Sequence, residues 1–283
     1  MAHNDLQFHI PIPLANVLNG GLHAGMNLDF QEFMLAPNAQ NLKEYPEQLE
    51  TIAECYQHLK RIISAMNQPT TVGDEGGFAP KLRTNRGALK LLTEAIKLAD
   101  FTYKDHIYIS LDIAANSFFH QGQYQVKDFD HPLSPTEYTA YIDNLVAEYD
   151  PLSIEDPFHE DDWSAWATFT NKHDQKCMIV GDDILVTHKD RLKRAIKEHT
   201  CNTILLKPNQ VGTLSEAIEV ATLAKAHHFY TIASHRSGET TDTFIADFAV
   251  GLGTDFTKFG APARGERVAK YNRLLEIYRE ISH

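Results

Sequence analysis

The sequence predicts an α/β protein whose strands close into a barrel that begins β-β-α-α and continues as β/α units. Short β-branched runs alternate with helical patterns along most of the chain, which is typical of helices packed around a parallel sheet. The opening differs, because two strand-like runs, at 9–17 and 29–35, precede two long helical stretches, near 42–66 and 85–98. Dinucleotide-binding glycine motifs and P-loops do not occur, which disfavours doubly wound nucleotide-binding folds.

Six further strands and three helices follow this opening. The strands are predicted at 107–112, 152–155, 178–182, 203–207, 230–234 and 256–258. Two of the helices begin at capping boxes, in which an N-terminal side chain and a glutamate three residues later bond each other's backbone amides. Ser134 opens a helix over 134–149, and Thr213 opens one over 213–225. The third helix is predicted over 187–197.

Composition restricts the class of function. The 283 residues carry 26 Lys and Arg against 38 Asp and Glu, a net charge of −12. This acidic balance argues against a general nucleic-acid binder, which needs a basic face. No apolar run approaches the roughly 18 residues of a membrane span, so none is predicted. Cys55, Cys177 and Cys201 are isolated and are interpreted as free thiols in a reducing cytosol, which predicts a cytoplasmic protein.

Each of the later strands ends in a residue that can do chemistry. These residues are Asp112, Glu155, Asp182, Lys207, His235 and Lys258. Their successive intervals are 43, 27, 25, 28 and 23 residues, and one β/α unit takes roughly 25–35 residues. One such residue alone could be a helix cap or a surface charge. A whole series in phase with the repeating unit predicts one convergent site at the C-terminal face of the barrel.

Three of these residues, Asp112, Glu155 and Asp182, form an all-oxygen set. Hard oxygen donors suit Mg²⁺ or Mn²⁺ rather than zinc. Three close carboxylates also repel one another strongly unless a dication lies between them. Neighbouring acids are interpreted as helix-start or surface groups, although their doubling leaves the choice of ligand open: Asp156, Asp161, Asp162 and Asp183.

A lysine and two loops supply further candidates. Lys207 lies in an apolar run, where burial is expected to depress its pKa and suit it to act as a base, the alternative being a structural ion pair. The glycine-flanked turn at 73–77 would hold Glu75 close to the site as an acid, the alternative being a plain loop. Arg236 and Ser237 lie at a predicted strand-to-helix junction, which suits phosphate binding by charge and by helix N-terminal amides.

As a set, the motifs of this chain resemble the enolase family. They include Gln31-Glu-Phe33, Gly73-Asp-Glu-Gly-Gly77, Ser153-Ile-Glu-Asp-Pro-Phe158, Leu205-Leu-Lys-Pro-Asn209, Ser234-His-Arg-Ser-Gly-Glu-Thr240 and Arg267-Val-Ala-Lys-Tyr-Asn272. They run in family order and are similar to glycolytic enolases in particular. The resemblance implies a TIM-like barrel of enolase type, ββαα(βα)6, over residues 10–283, preceded by an N-terminal tail at 1–9.

The resemblance also implies an activity, the Mg²⁺-dependent dehydration of 2-phosphoglycerate, a small phosphorylated hydroxy acid, to phosphoenolpyruvate. This is the phosphopyruvate hydratase reaction of glycolysis, catalysed by a lyase. By motif, Lys207 resembles the base that removes the C2 proton, and Glu75 with Glu32 matches the acid pair that helps the C3 hydroxide leave. The metal ligands are matched by Asp112, Glu155 and Asp182, and the substrate contacts by His23, Glu32, His235, Arg236, Ser237 and Lys258, with Lys258 on the carboxylate and Arg236 and Ser237 on the phosphate.

The chain departs from the family pattern in a few places. It is expected to lack the N-terminal α+β domain of enolases, and it fits a gene fragment, a cleaved product or a barrel-only paralogue. Asn116-Ser117 replaces the usual Ser-Glu, Phe259 stands where Thr is common, and Pro208 follows the base where Val or Phe is frequent. None of these changes removes a catalytic residue.

Two functions of different classes therefore stay open. In the first, the barrel keeps its catalytic groups and works as a homo-oligomer or with a separately encoded cap domain. Alone it is expected to fold but to turn over poorly, because the loop that closes over the substrate would be missing. In the second, a non-catalytic enolase-like barrel acts as a binding or structural protein. A third and weaker reading, a superfamily enzyme acting on another carboxylate, is distinguished by Arg236 and Ser237.

Overall fold

An eight-stranded closed barrel forms the centre of the computed structural model, which describes residues 8–25 and 27–282, except for the side chain of His23. The strands in chain order are β1 (Ile12–Asn19), β2 (Glu32–Pro37), β3 (Ile107–Asp112), β4 (Phe119–His120), β5 (Gln123–Tyr124), β6 (Ser153–Glu155), β7 (Met178–Gly181), β8 (Thr203–Leu206), β9 (Tyr230–Ser234) and β10 (Phe256–Lys258). The barrel closes in the order β1-β10-β9-β8-β7-β6-β3-β2, while β4 and β5 form a separate hairpin. The predicted β-β-α-α opening and the barrel are confirmed.

One barrel strand runs against the others. β2 is antiparallel to both β1 and β3, whereas the remaining barrel pairs are parallel. Because of this reversal, Glu32, the first residue of β2, lies opposite Asp112, the last residue of β3. Asp112 in turn lies opposite Glu155 of β6. The antiparallel strand thus brings an acid from its N-terminal end to the face where the parallel strands end.

Nine helices surround the barrel in the described part of the chain. They are α1 (Tyr45–Ala65), α2 (Asn85–Leu98), α3 (Pro135–Tyr149), α4 (Trp163–His173), α5 (Lys189–Glu198), α6 (Pro208–Val211), α7 (Leu214–Ala226), α8 (Phe244–Leu252) and α9 (Gly265–Ile281), with short 3₁₀ turns at Gly21–Ala24 and Ala115–Phe118. The capping box at the start of α3 is complete. At α7, Thr213 caps the helix by accepting a hydrogen bond from the Glu216 amide. No helix described here has the length and hydropathy of a membrane span.

Helices α4, α6, α8 and α9 and the β4–β5 hairpin were not predicted from the sequence. α4 is rich in aromatic and β-branched residues of weak helix propensity. No side-chain hydrogen bond caps the starts of α8 and α9, so the usual N-terminal signal is missing. Of the predicted tail at 1–9, residues 1–7 lie outside the described residues, and His9 contacts the backbone oxygen of Thr254.

Alternation along the strands decides which side chains enter the barrel. A small apolar cluster consists only of strand residues at alternate positions: Leu14, Met34, Ala36, Met178, Val180, Leu205, Ile232 and Phe256. Apolar residues at intervening strand positions, such as Leu35, Ile109 and Ile179, belong to the larger cluster, which also contains the helix side chains. Successive strand side chains point to opposite faces, so the small cluster fills the barrel interior and the large one lies between the barrel and the helices.

The same alternation places the predicted chemistry inside the barrel. Lys207 follows Leu205 by two positions, and Lys258 follows Phe256 by two. Asp182 likewise lies two positions beyond Val180. At β7, β8 and β10, the chain therefore contributes an apolar residue to the lower interior and a charged residue above it. This alternation brings Asp182, Lys207 and Lys258 from distant parts of the sequence to one cavity.

Candidate active site

One polar cavity of about 170 Å³ collects nearly all of the predicted site residues. It is lined by Gln31, Glu32, Glu75, Asp112, Asp182, Asp183, Lys207, Ser234, His235, Arg236, Ser237 and Lys258. Glu155 is buried and contacts the cavity-lining Lys258. The side chain of His23, the remaining predicted residue, lies outside the described part of the structure.

Lys258 holds three carboxylates together. Its Nζ atom lies 2.9 Å from Asp112 Oδ2, 3.0 Å from both carboxylate oxygens of Glu155 and 3.1 Å from Glu32 Oε1. All four side chains are buried. Burial alone would lower the pKa of Lys258, but Asp112, Glu155 and Glu32 together raise it well above its usual range. Lys258 is therefore a charged ammonium group that partly compensates the three acids.

The carboxyl groups around Lys258 are themselves perturbed. Burial, and then the charge of Asp112, raises the pKa of Glu155 well above its usual range, although Lys258 acts in the opposite direction. The pKa of Glu32 is also raised, first by burial and then by the charge of Glu75. The site therefore concentrates more negative charge than its lysines neutralise, which is an environment that favours a bound cation or a retained proton.

The direction of the pKa shift of Lys207 departs from the expectation. Its ammonium group makes an ion pair with the carboxylate of Asp182. Burial lowers the pKa of Lys207, as the sequence analysis expects, but the charges of Asp182 and Glu155 outweigh this effect and raise the pKa above its usual value. The expected net lowering of the Lys207 pKa is therefore wrong. The structure combines the two alternatives, because the candidate base is also part of an ion pair.

Asp156 was interpreted as a helix-start or surface acid, and this is wrong. Its side chain is buried. Asp156 Oδ1 accepts the backbone N–H of Asp182 at 3.0 Å, and Oδ2 accepts that of Asp183 at 2.8 Å. Asp156 therefore holds the loop that presents Asp182 to the cavity. A lone acid beside Glu155 gives no sign of this role in the sequence, because its partners are backbone amides 26 and 27 residues away.

Of the other neighbouring acids, Asp161 and Asp162 fit the interpretation as surface or helix-start groups, and Asp183 does not. Asp161 is exposed, and Asp162 caps α4 by accepting the Ala165 amide at 3.0 Å, as interpreted. Asp183 lines the cavity instead. Asp183 Oδ2 accepts a hydrogen bond of 3.0 Å from Asn116 Nδ2. Asn116, one of the departures from the family pattern, thus ties the loop after β3 to the loop after β7.

The turn that carries Glu75 is closed and tightly packed. The Gly73 amide donates to the Gly77 carbonyl at 2.8 Å, and Glu75 is buried. Glu75 Oε2 accepts from Asn16 Nδ2 at 2.9 Å. Gly260, at φ +87°, lies so close that an added Cβ would be 2.6 Å from the Glu75 carbonyl oxygen. Only glycine fits at position 260, because any side chain would collide with the backbone of the turn. The turn at 73–77 thus packs tightly and holds Glu75 close to the site.

The expected position of Arg236 and Ser237 needs correction. Helix α8 begins at Phe244, so both residues lie in the loop after β9 and not at a helix N-terminus. Arg236 is half-buried and contacts Asn209 Oδ1 at 3.4 Å, while Ser237 is exposed. Any phosphate contact here would depend on the guanidinium charge and the hydroxyl group, without help from helix amides.

Two further groups at the site, the cavity-lining Gln31 and the buried Arg267 behind it, carry no signal that the sequence analysis used. Gln31 Nε2 donates to Asp112 Oδ2 at 3.3 Å. Arg267 of α9, fully buried, donates to several groups of the loops that carry Glu75 and His235. Both occur within the family motifs quoted above, and those motifs were the only available pointer to them.

Two clusters have donor atoms close enough for a cation. Glu155, Asp156 and Asp182 each offer an oxygen within 4.8 Å of the others, and so do Glu32, Glu75 and His235 with their ligand atoms. Asp112 Oδ1 and Asp182 Oδ1 are buried oxygens with no hydrogen-bond partner among the described residues. Unused buried carboxylate oxygens beside Glu155 form an all-oxygen donor set that fits a hard dication such as Mg²⁺.

The fold and the site define a TIM-barrel protein with an acidic, lysine-containing cavity at the C-terminal ends of its strands. The profile of the enolase C-terminal TIM barrel domain matches residues 7–283. Enolase 1 of Methanospirillum hungatei is 44% identical over 278 residues, covering 98% of this chain and 65% of that protein. The enolase of Helicobacter hepaticus is 45% identical over 274 residues, covering 96% of this chain and 64% of that protein. The chain belongs to the enolase family and spans just under two thirds of the length of these relatives.

Removing the Lys258 ammonium tests its role as the counter-charge of the site. In Lys258→Met, the carboxylates of Asp112, Glu155 and Glu32 lose their shared partner. We expect the free energy of unfolding to fall by about 3–5 kcal/mol, the usual cost of breaking a buried ion pair. Urea unfolding in the presence of a chelator measures it, with the exposed Lys193 changed to Met as a control that should lose little.

This loss should grow as the pH rises. The folded-state pKa of Glu155 already lies above its ordinary value, and removing Lys258 raises it further. A carboxyl group with a raised folded pKa contributes stability below its unfolded pKa and loses it as the pH rises through the folded pKa. The gap between Lys258→Met and the parent should therefore be smaller in acid than at neutral pH. A gap that is the same at both would contradict the electrostatic account.

Proposed function

We propose that this barrel carries the phosphopyruvate hydratase chemistry of its family, the Mg²⁺-dependent dehydration of 2-phosphoglycerate to phosphoenolpyruvate. The observation that carries the proposal is the meeting of Lys207, Lys258 and the acids Glu32 and Glu75 in one cavity. A cation, a base and an acid pair are the groups that elimination of water next to a carboxylate requires.

Mg²⁺ would be held by Asp112, Glu155 and Asp182. The support for this set is the buried, unused Oδ1 atoms of Asp112 and Asp182, next to Glu155. When bound, the dication polarises the substrate carboxylate and stabilises the charge that develops on it. Asp156 would keep Asp182 in place through the two backbone hydrogen bonds that it accepts.

Lys207 would take the C2 proton of the substrate. Lys207 acts as a base only as the uncharged amine, a form that the charges of Asp182 and Glu155 oppose in this structure and that neutralising those charges would favour. The electron pair of the C2–H bond first moves onto the substrate carboxylate, giving an intermediate with extra negative charge, and then forms the C2–C3 double bond as the C3–O bond breaks. The departing hydroxide takes a proton from the Glu32–Glu75 pair and leaves as water. The raised pKa of Glu32 suits a pair that still holds this proton.

The remaining predicted contacts would orient the substrate. Arg236 and Ser237, on the loop after β9, would bind the phosphate by charge and hydroxyl group. Lys258 would contact the substrate carboxylate while staying among its acids. His23 and His235 complete the proposed pocket.

The wider setting is also proposed by analogy with the family. A barrel domain over 10–283 after a tail at 1–9 would act in the cytoplasm, as a homo-oligomer or with a separately encoded cap domain. Cys55, Cys177 and Cys201 are free and buried in the structure, which supports a reducing compartment. The alternative, a non-catalytic binding or structural barrel, is decided by the following test.

The activity is tested by phosphoenolpyruvate formation, followed by its ultraviolet absorbance, from 2-phosphoglycerate and Mg²⁺. The chain is assayed alone and with the N-terminal domain of a full-length enolase added. Lys207→Ala should abolish exchange of the C2 proton with deuterated water, because general-base catalysis supplies about 10²–10⁴-fold. The exposed Lys193 changed to Ala should leave exchange at the parental rate.

Two results would contradict the proposal. Exchange that persists in Lys207→Ala at the parental rate would exclude Lys207 as the base. No exchange and no product from the parent in either arm of the assay would favour the binding or structural role instead.

The metal assignment is tested by Asp182→Ala. Loss of a direct ligand should weaken Mg²⁺ binding by at least about tenfold, since even outer-shell partners of a metal contribute this much. Isothermal titration calorimetry measures the affinity, and Asp161→Ala, which removes an exposed acid from the same face, is the matched control. Equal affinities for Asp182→Ala and the parent would rule out Asp182 as a ligand.

A further inference from the structure

His235 lies between a buried cation and a buried acid. Its Nδ1 atom is 2.6 Å from Nη1 of Arg267, and its Nε2 atom is 3.3 Å from Oε1 of Glu75. The exposed fractions of His235, Glu75 and Arg267 are 2%, 2% and 0%. Water is therefore excluded from both ring nitrogens, and these two neighbours decide where the ring proton resides.

The contact with Arg267 has only one chemical solution. A guanidinium group stays protonated in proteins and donates hydrogen bonds but accepts none. His235 Nδ1 must then be the acceptor, with a lone pair and no hydrogen. A neutral ring in this state carries its hydrogen on Nε2. Glu75 Oε1 lies 3.3 Å from Nε2, close enough for the carboxylate to interact electrostatically with that hydrogen, although the two groups do not make a well-directed hydrogen bond.

Arg267 is itself held firmly in place. Its Nη1 atom also donates to the Arg236 carbonyl at 2.8 Å. Its Nη2 atom donates to the carbonyls of Asp74 at 2.9 Å and Ser237 at 2.7 Å. One side chain of α9 thus joins the turn that carries Glu75 to the loop that carries His235. The guanidinium group cannot turn away from His235 without breaking these bonds.

Burial favours the neutral form of His235. Burial, the largest effect, lowers the pKa of His235, and the charges of Arg267 and Lys258 lower it further. Glu75 acts in the opposite direction, but the net pKa is lowered. Glu239, in the same loop as His235, also interacts electrostatically with it. These groups lie on the turn at 73–77, on α9, on β10 and on the loop after β9.

We propose that Arg267 is a positioning residue that holds His235 as the neutral tautomer with its hydrogen on Nε2, the ring nitrogen that lies 3.3 Å from Glu75 Oε1. The role of this contact in catalysis rests on the proposed function, but the tautomer rests on the geometry alone. In this state His235 can serve neither as a base nor as a metal ligand through Nε2.

Fixing the tautomer of His235 has two consequences for the site. Glu75 Oε2 accepts a hydrogen bond from Asn16, and Glu75 Oε1 lies beside the hydrogen-bearing Nε2 of His235. Both contacts favour negative charge on Glu75, while the pKa of Glu32 is raised by burial and by the charge of Glu75. In addition, His235 Nε2 carries a hydrogen and has no lone pair to offer a cation, so the cluster of Glu32, Glu75 and His235 lacks one of its three ligand atoms. A cation is therefore favoured at the acids around Glu155.

The test is the tautomer itself, read by long-range ¹H–¹⁵N correlation NMR on protein with ¹⁵N-labelled histidine. The His235 signals are assigned by their loss in His235→Gln. We expect Nδ1 without a proton and Nε2 with one, unchanged from about pH 6 to about pH 8, across the range in which an ordinary histidine titrates. A proton on Nδ1, or an imidazolium ring at neutral pH, would overturn the proposal.

Two variants on α9 separate positioning from stability. Arg267→Met should release the ring, so that the Nδ1–H tautomer appears and the pKa of His235 rises. Lys270→Met removes an equally buried cation that anchors the same loop through Glu239 at 2.9 Å and the Thr240 carbonyl at 2.9 Å. It should lower the melting temperature and leave the His235 signals unchanged. The same change of tautomer in both variants would contradict a specific role for Arg267.

The outcome does not depend on enzyme turnover. If Arg267→Met fails to fold, the spectrum of the parent protein still decides the tautomer. An inactive barrel with the expected tautomer would overturn the proposed function and leave the tautomer proposal standing. An active barrel with the other tautomer would overturn the tautomer proposal alone.

Discussion

Buried carboxylates need compensation, and this requirement organises the upper half of the barrel. An ion left unpaired in a protein interior costs several kcal/mol even after relaxation. Here Lys258 lies among Asp112, Glu155 and Glu32, and the backbone amides of Asp182 and Asp183 bind the carboxylate of Asp156. The same arrangement that stabilises the acids also holds them within reach of a bound cation, so structure and chemistry share one set of contacts.

Short β-branched runs and the length of the β/α unit made much of this predictable. Asp112, Glu155 and Lys258 end such runs, and the intervals between them match the repeating unit, which predicts that they meet at one face of the barrel. The antiparallel direction of β2 was not predicted, although it is what brings Glu32 to the same face. Helices α4, α8 and α9 were also missed, since weak propensities or uncapped starts hide them from pattern analysis.

The parts of the site that could not be predicted depend on contacts between distant segments. Arg267 is 193 residues from Asp74 and 32 from His235, and no local pattern relates them. The net pKa shift of Lys207 had the wrong sign for the same reason. Burial can be inferred from an apolar run, but the nearby charges of Asp182 and Glu155 are known only from the fold.

We propose that the carboxylates of Asp112, Glu155 and Asp182 form the cation site of the barrel. The most direct measurement is anomalous diffraction at the manganese edge from crystals grown with Mn²⁺, a dication with the same preference for oxygen ligands. The account predicts an anomalous peak in contact with Asp112, Glu155 and Asp182. A peak among Glu32, Glu75 and His235 instead, or no peak at Asp112, Glu155 and Asp182, would contradict this assignment.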